Sequence, residues 1–263
     1  MFTWFNGSSS DAAAAMKRVI ILKYIFVKAL ATPPIEDLGG IMSQWSAEER
    51  SQFAKETASM FDNQIGQLKS AGLWQHVEED ERRFLQSGAD QLTPKQRTDA
   101  SWLAESIVCL LWALQIVPDL PPYDQEAGQQ SVKKLPARSI GELIRRARLR
   151  PKQEIKKQRD LAELWHWRAR TRKLQEDGQL QGQLSGGLTI HQIIEMSAAK
   201  GADKGDLPSP IESDFPSMGK PYRDLSSDEF ATMTSIAQER HKAFNWLCGM
   251  SPSGLWADTP TGT

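Results

Sequence analysis

Between Ser101 and Val117 the chain is apolar on every side, and only Ser101, Glu105, Ser106 and Gln115 are polar. A helix of that kind has no face to give to water, so it must sit at the centre of a fold and be wrapped by other elements. Pro118, Pro121 and Pro122 follow at once and end it, because proline supplies no N–H to continue the ladder. The rest of the chain must then provide the wrapping. With 40% hydrophobic residues and nine tryptophans in 263 residues, it has the apolar inventory to bury a large core.

Helix signals recur on both sides of this segment. A first helix is expected from Ala13 to Leu30, with Pro33 and Pro34 beyond it. Ser46-Ala47-Glu48-Glu49 has the form of a capping box, in which the serine oxygen accepts a free backbone N–H and Glu49 reaches back; a helix then runs to Ala71, with Gly72 suited to the closing position. Thr93-Pro94-Lys95-Gln96 repeats the device with proline at the first helical position. Ser139 caps a short helix to about Arg150, Pro151 to Leu174 forms a longer one, and Thr189 to Ala199 another. Ser226-Ser227-Asp228-Glu229 opens the last helix, to Cys248, with Phe230, Met233, Ala237, Phe244 and Leu247 as its apolar stripe. No run alternates with period two. The fold class is therefore all-α: a loose lead over residues 1–15, then a single irregular helical domain over 16–263 around a tryptophan-rich central helix. Residues 175–224, rich in glycine, proline and acids, form a long, partly irregular segment within it.

Cys109 and Cys248 lie among apolar residues of expected helices and read as core side chains or reduced thiols, which points to a reducing cytoplasm. The most apolar stretch outside the central helix, Val19 to Ala31, is about a dozen residues, too short to span a bilayer, and is broken by Lys23 and Lys28. The glycine and serine residues ahead of it and the absence of a clean cleavage site before Pro33 argue against a secretory leader.

Charge is distributed unevenly. Residues 133–173 hold fifteen Lys or Arg against four Asp or Glu; since the whole chain is −1, the segment is +11 and the remainder −12. Arg145, Arg146, Arg148, Arg150 and Arg170, with Trp165 and Trp167 for stacking, could dock an acidic protein or a phosphate-bearing ligand. The same arginines could equally pair with the acidic remainder of the chain. Nucleic acid is a weaker candidate, because the overall charge is near neutral.

Candidate acid–base residues fall on two helical faces. Glu163, His166 and Arg170 share one, and Gln238, His241 and Asn245 share another. If both looked into one cleft, Glu105, His166, Glu239, Arg240 and His241 could form a hydrolase-like constellation. Glu105 is the single ionisable group of the central helix, so it needs a counter-ion such as Arg168 or Arg240, or else it lines a pocket as a functional carboxylate. The four histidines, His76, His166, His191 and His241, show no metal-ligand spacing. No phosphate-cradling glycine loop, nucleophile elbow or Cys-x-x-Cys is present, so neither a metal nor another cofactor is expected.

Several longer motifs carry a resemblance: Trp102-Leu-Ala-Glu-Ser, Leu111-Trp-Ala-Leu, Ala162-Glu-Leu-Trp-His-Trp-Arg, Asp214-Phe215, Gly219-Lys-Pro-Tyr222, Glu239-Arg-His241, Asn245-Trp-Leu-Cys-Gly249 and the ending from Trp256. Together they resemble the bacterial family catalogued as domain of unknown function 4272, over most of the chain from about Lys17. The resemblance implies no activity, substrate or cofactor. The family's ending is more acidic, and here Ala257 and Gly262 stand where it has carboxylates, which leaves Asp258 alone.

The residues thus favour a non-catalytic interaction protein that uses the 133–173 surface and the 175–224 segment. An enzyme built on Glu105, His166, Glu239 and His241, or a nucleic-acid binder, are the alternatives. Trp246 and Trp256 flank a turn containing Gly249, Pro252 and Gly254, so the chain is expected to fold back and lay Trp256 on the end of the last helix.

Overall fold

The computed structural model describes residues 9–31, 44–88, 91–180, 182 and 186–262. Much of the expected lead lies outside these residues, and the part described belongs to the first helix, α1, Ser9–Ala31. Helix α2 spans Ala47–Ser70 behind the Ser46/Glu49 capping box. A single 3-10 turn, Trp74–His76, leads to α3, Glu79–Gln86, which is opened by a reciprocal Glu78/Glu81 pair. Helix α4, Pro94–Ser101, starts from the Thr93/Gln96 box.

The central helix, α5, runs Leu103–Ala113 and is buried from Ala104 onward. It ends four residues before the apolar run does. Gln115 takes a left-handed φ of 61°, and the N–H groups of Gln115 and Ile116 bond back to the carbonyls of Trp112 and Leu111. This closure normally uses glycine. Here the Gln115 side chain donates to the Leu149 carbonyl at 3.0 Å, which holds the residue in place.

Beyond the proline-rich stretch come α6, Gly128–Val132, and α7, Ile140–Arg146, capped by Ser139. Helix α8, Lys152–Glu176, and α9, Ile190–Asp203, follow. A two-residue antiparallel ladder pairs β1, Pro216–Ser217, with β2, Lys220–Pro221. Helix α10, Ser227–Leu247, closes the domain behind the Ser226/Glu229 box. The fold is all-α apart from this hairpin and one isolated bridge among the described residues.

Helices α1 and α10 both pack on α5, and α10 also packs along α8. Trp112 of α5 meets Phe244 of α10 edge to face at 5.9 Å. Trp165 of α8 stacks on Tyr123 at 5.3 Å and meets Phe215 edge-on at 5.5 Å. Phe215 and Tyr222, both fully buried, come from the 175–224 segment. The described part of that segment, helix α9 included, therefore contributes to the core. After α10 the chain turns back, and Trp256, 4% exposed, packs against Trp246 at 5.8 Å. The Glu78 carboxylate accepts the Ala257 and Trp256 backbone N–H groups and pairs with Arg18, tying the returning tail to α1.

Two buried ion pairs hold these layers together. Arg240 donates through Nε to Glu105 at 2.8 Å and reaches the carbonyls of Pro121, Pro122 and Gln125. Arg168 makes a two-pronged contact with Asp214, both bonds 2.7 Å. Asp214 also accepts the N–H groups of Phe215 and Arg223. Burial raises the Asp214 carboxyl, but those donors and the Arg168 charge bring it below its ordinary value. The first pair joins α5 to α10 and ties both to the chain around 121–127, and the second binds α8 to the loop at Asp214. Carbonyls and loop amides that would otherwise lie unsatisfied in the interior are thereby paired.

Candidate functional site

The two polar stripes expected on α8 and α10 do meet. His166 Nδ1 lies 3.0 Å from His241 Nδ1, and both rings are buried. His241 Nε2 is 2.9 Å from Asn245 Nδ2. The Asn245 amide also donates to the Pro260 carbonyl at 2.8 Å, and its Oδ1 accepts from Arg159 Nε at 2.9 Å. Arg159 in turn pairs with Glu163 one helical turn further along α8. The chain of contacts therefore runs Arg159, Asn245, His241, His166.

Burial holds both imidazoles in the neutral form. His166 is pushed down to about 4 by desolvation, with the Arg170 charge adding to it. His241 is pushed down to about 3, again mainly by desolvation, with His166 and Arg159 contributing. At neutral pH this pair holds no positive charge.

His166 opens on a groove of about 750 Å³ between the C-terminal half of α8 and the N-terminal half of α10. Arg170 and Lys173 line one wall with His166, since positions 166, 170 and 173 recur on one helical face. Thr234 and Gln238 of α10 line the other wall, and Phe230, with Thr261 of the returning tail, also contributes to the lining. Lys173 is already paired with Asp177, and Glu176, which also lines the groove, is held by Arg172. Arg170 is exposed and makes no ion pair among the described residues. It is the cation left to an occupant.

Glu105 and Arg240 do not join this groove. The Glu105 carboxylate is taken up by Arg240 and by the Ala127 N–H at 2.6 Å. Burial raises its pKa while the Arg240 charge opposes the rise. Glu239 accepts the Ser106 hydroxyl at 2.6 Å, on the side of α10 that faces α5. Helix geometry explains the dispersal: successive residues turn by about 100°, so 239, 240 and 241 cannot point into one cleft. Only His241 of the three faces α8.

The basic segment is likewise divided. Arg150 is a latch for the end of α5, donating to the Trp112 and Pro118 carbonyls and lying 4.7 Å from the Trp112 ring. Arg146 pairs with Glu142 at 3.1 Å, and Arg148 donates to the Ala147 carbonyl. Arg145 is exposed and makes no ion pair among the described residues. Trp165 is buried in the aromatic cluster, where it has no free face for a partner, and Trp167 is half-buried against Phe215. The other two histidines, His76 and His191, are exposed. No group of three His, Cys, Asp or Glu among the described residues could hold a metal ion, and no helix of the described residues is long and apolar enough to cross a membrane.

The spacing of His241 and Asn245 beside the turn already pointed to a bond with the returning tail, which Asn245 makes; what sequence spacing missed were Arg159 as the anchor of Asn245 and the groove itself. The i, i+4 spacing of His241 and Asn245 was visible, but only the crossing of α8 and α10 brings Arg159 and His166 to them.

The family model described as Domain of unknown function (DUF4272) matches residues 8–192, and the chain belongs to that family. Helix α10 and the returning tail lie beyond the matched residues. No curated protein and no solved structure matches the chain.

Proposed function

We propose that the chain is a non-catalytic binding protein of the bacterial cytoplasm that holds an anion-bearing ligand, a phosphate-bearing molecule or an acidic side chain of a protein partner, in the groove between α8 and α10. One observation supports this reading above others. A nearly buried imidazole, His166, and an uncompensated guanidinium, Arg170, stand one turn apart on the same wall. An N–H donor beside a planar fork of donors suits the oxygens of a carboxylate or phosphate. The chemistry of the pair argues for holding rather than reacting. Both rings stay neutral far below physiological pH, whereas a general acid or base works best with a pKa near the operating pH. The carboxylates that could partner them, Glu105 and Glu239, are spent on Arg240 and Ser106. The two cysteines are free thiols, in keeping with a reducing compartment.

The test is titration of the full chain with inorganic phosphate and with benzoate at constant ionic strength, followed by amide chemical shifts. Saturable shifts in α8 and α10 are expected, with affinity at least tenfold weaker in Arg170→Ala. Because Arg170 is exposed, its removal should leave the melting temperature unchanged. Equal affinity in wild type and variant would refute the assignment of the groove.

A further inference from the structure

The hydrogen-bond chain behind the groove is directional, and its direction can be read from one end. Arg159 Nε can only donate, so the atom of Asn245 that it meets at 2.9 Å is the amide oxygen. The amide nitrogen then presents its two hydrogens to the Pro260 carbonyl at 2.8 Å and to His241 Nε2 at 2.9 Å. His241 Nε2 must therefore carry a lone pair. A neutral imidazole has one N–H, so the hydrogen of His241 is on Nδ1, which faces His166 Nδ1 at 3.0 Å. That nitrogen accepts, and the hydrogen of His166 is on Nε2, the ring nitrogen left for the groove.

We infer that Asn245 is the positioning residue that decides what the groove can recognise: it fixes His166 as an Nε2–H donor, so that the site takes a ligand presenting an oxyanion acceptor beside Arg170. This rests on the binding reading above. A protonated pair is excluded by the same contacts, because a hydrogen on His241 Nε2 would oppose the Asn245 N–H. The groups around the pair add to this. Arg159 and Arg170 face it with positive charge, and the carboxylate on the same helix, Glu163, is paired with Arg159.

The inference makes a reversal testable. In Asn245→Asp the carboxylate accepts from Arg159 and can only accept from His241, so the His241 hydrogen moves to Nε2. His241 Nδ1 then accepts from His166 Nδ1–H, and His166 Nε2 turns a lone pair toward the groove. Long-range proton–nitrogen spectra of the ¹⁵N-labelled full chain at pH 7 distinguish the tautomers. Wild type should show His166 as the Nε2–H form and His241 as the Nδ1–H form, and Asn245→Asp should invert both. A wild-type spectrum with His166 in the Nδ1–H form, or averaged between the two, overturns the inference without recourse to any variant.

Binding supplies the second readout. With inorganic phosphate and benzoate as probes, Asn245→Asp should bind each at least tenfold more weakly, while the tighter of the two in wild type identifies the preferred oxyanion. Unchanged affinity in a variant whose tautomers have inverted overturns the contact between His166 and the ligand. If neither probe binds wild type while the tautomers are as stated, the binding reading fails and the claim that Asn245 decides recognition falls with it; the spectra then support only its control of the tautomer.

Discussion

Glu105→Gln is the substitution that most directly tests how the interior is held. Glu105 is 1% exposed and Arg240 fully buried. The carboxylate accepts two donors, the Ala127 N–H at one oxygen and Arg240 Nε at the other. A glutamine of the same shape keeps one acceptor and turns an N–H₂ group toward the second donor. It also leaves the Arg240 charge in the core without a counter-ion. Removing one partner of a buried pair costs about 3–5 kcal/mol. Arg240 retains three backbone carbonyls, which places the cost near the lower end, about 3 kcal/mol. For a chain of this size that corresponds to a fall of about 6–12 °C in melting temperature. Urea unfolding followed by far-UV circular dichroism measures it. A loss below about 1 kcal/mol would refute the reasoning, since it would mean that Glu105 is already a neutral acid in the folded state and that the amide replaces it without electrostatic loss.

Stability should also fall with acid because of the histidine pair. Both rings titrate below their ordinary value, so the unfolded chain takes up protons first: the contribution is intact above about pH 6.5 and is lost as pH falls toward about 4 for His166 and about 3 for His241. At pH 5 the loss is about 2 kcal/mol per histidine, and imidazole shifts with a midpoint near 6.5 at either position would contradict it. Trp256→Ala removes an indole packed on Trp246 and should cost about 3–5 kcal/mol. Urea unfolding checks this, and an unchanged midpoint would show that the returning tail is not structural.

The parts of this fold legible in the sequence are those set by near neighbours. Ser46, Thr93, Thr189 and Ser226 open helices because a hydroxyl and a Glu or Gln three residues on satisfy each other's backbone groups. The burial of α5 follows from having no polar side. Its C-terminus was not legible because Gln115, rather than a glycine, takes the left-handed position. Helix α3 was missed because its cap is a glutamate, a rare choice at that position. For the candidate site, spacing placed His166 and His241 on shared faces with their neighbours. It could not show which residues of α10 turn toward α8 and which toward α5. That depends on contacts between residues far apart in the chain, as in the pairing of Glu105 with Arg240 and of Arg168 with Asp214.

Those two pairs also bear on how the chain divides. The residues that match the family model end at 192, inside α9, yet they include two buried charges, Glu105 and Arg168, whose counter-ions are Arg240 and Asp214. They include the face of α5 that α10 covers, and the ring of His166 that accepts from His241. An ionised group buried without a partner costs several kcal/mol, so the matched region cannot close its own core at those points. Helix α10 and the 214–225 segment are therefore not appendages to a finished domain. They neutralise its interior, and through Thr234 and Gln238 helix α10 also forms the second wall of the groove. The same packing that completes the core defines the candidate site.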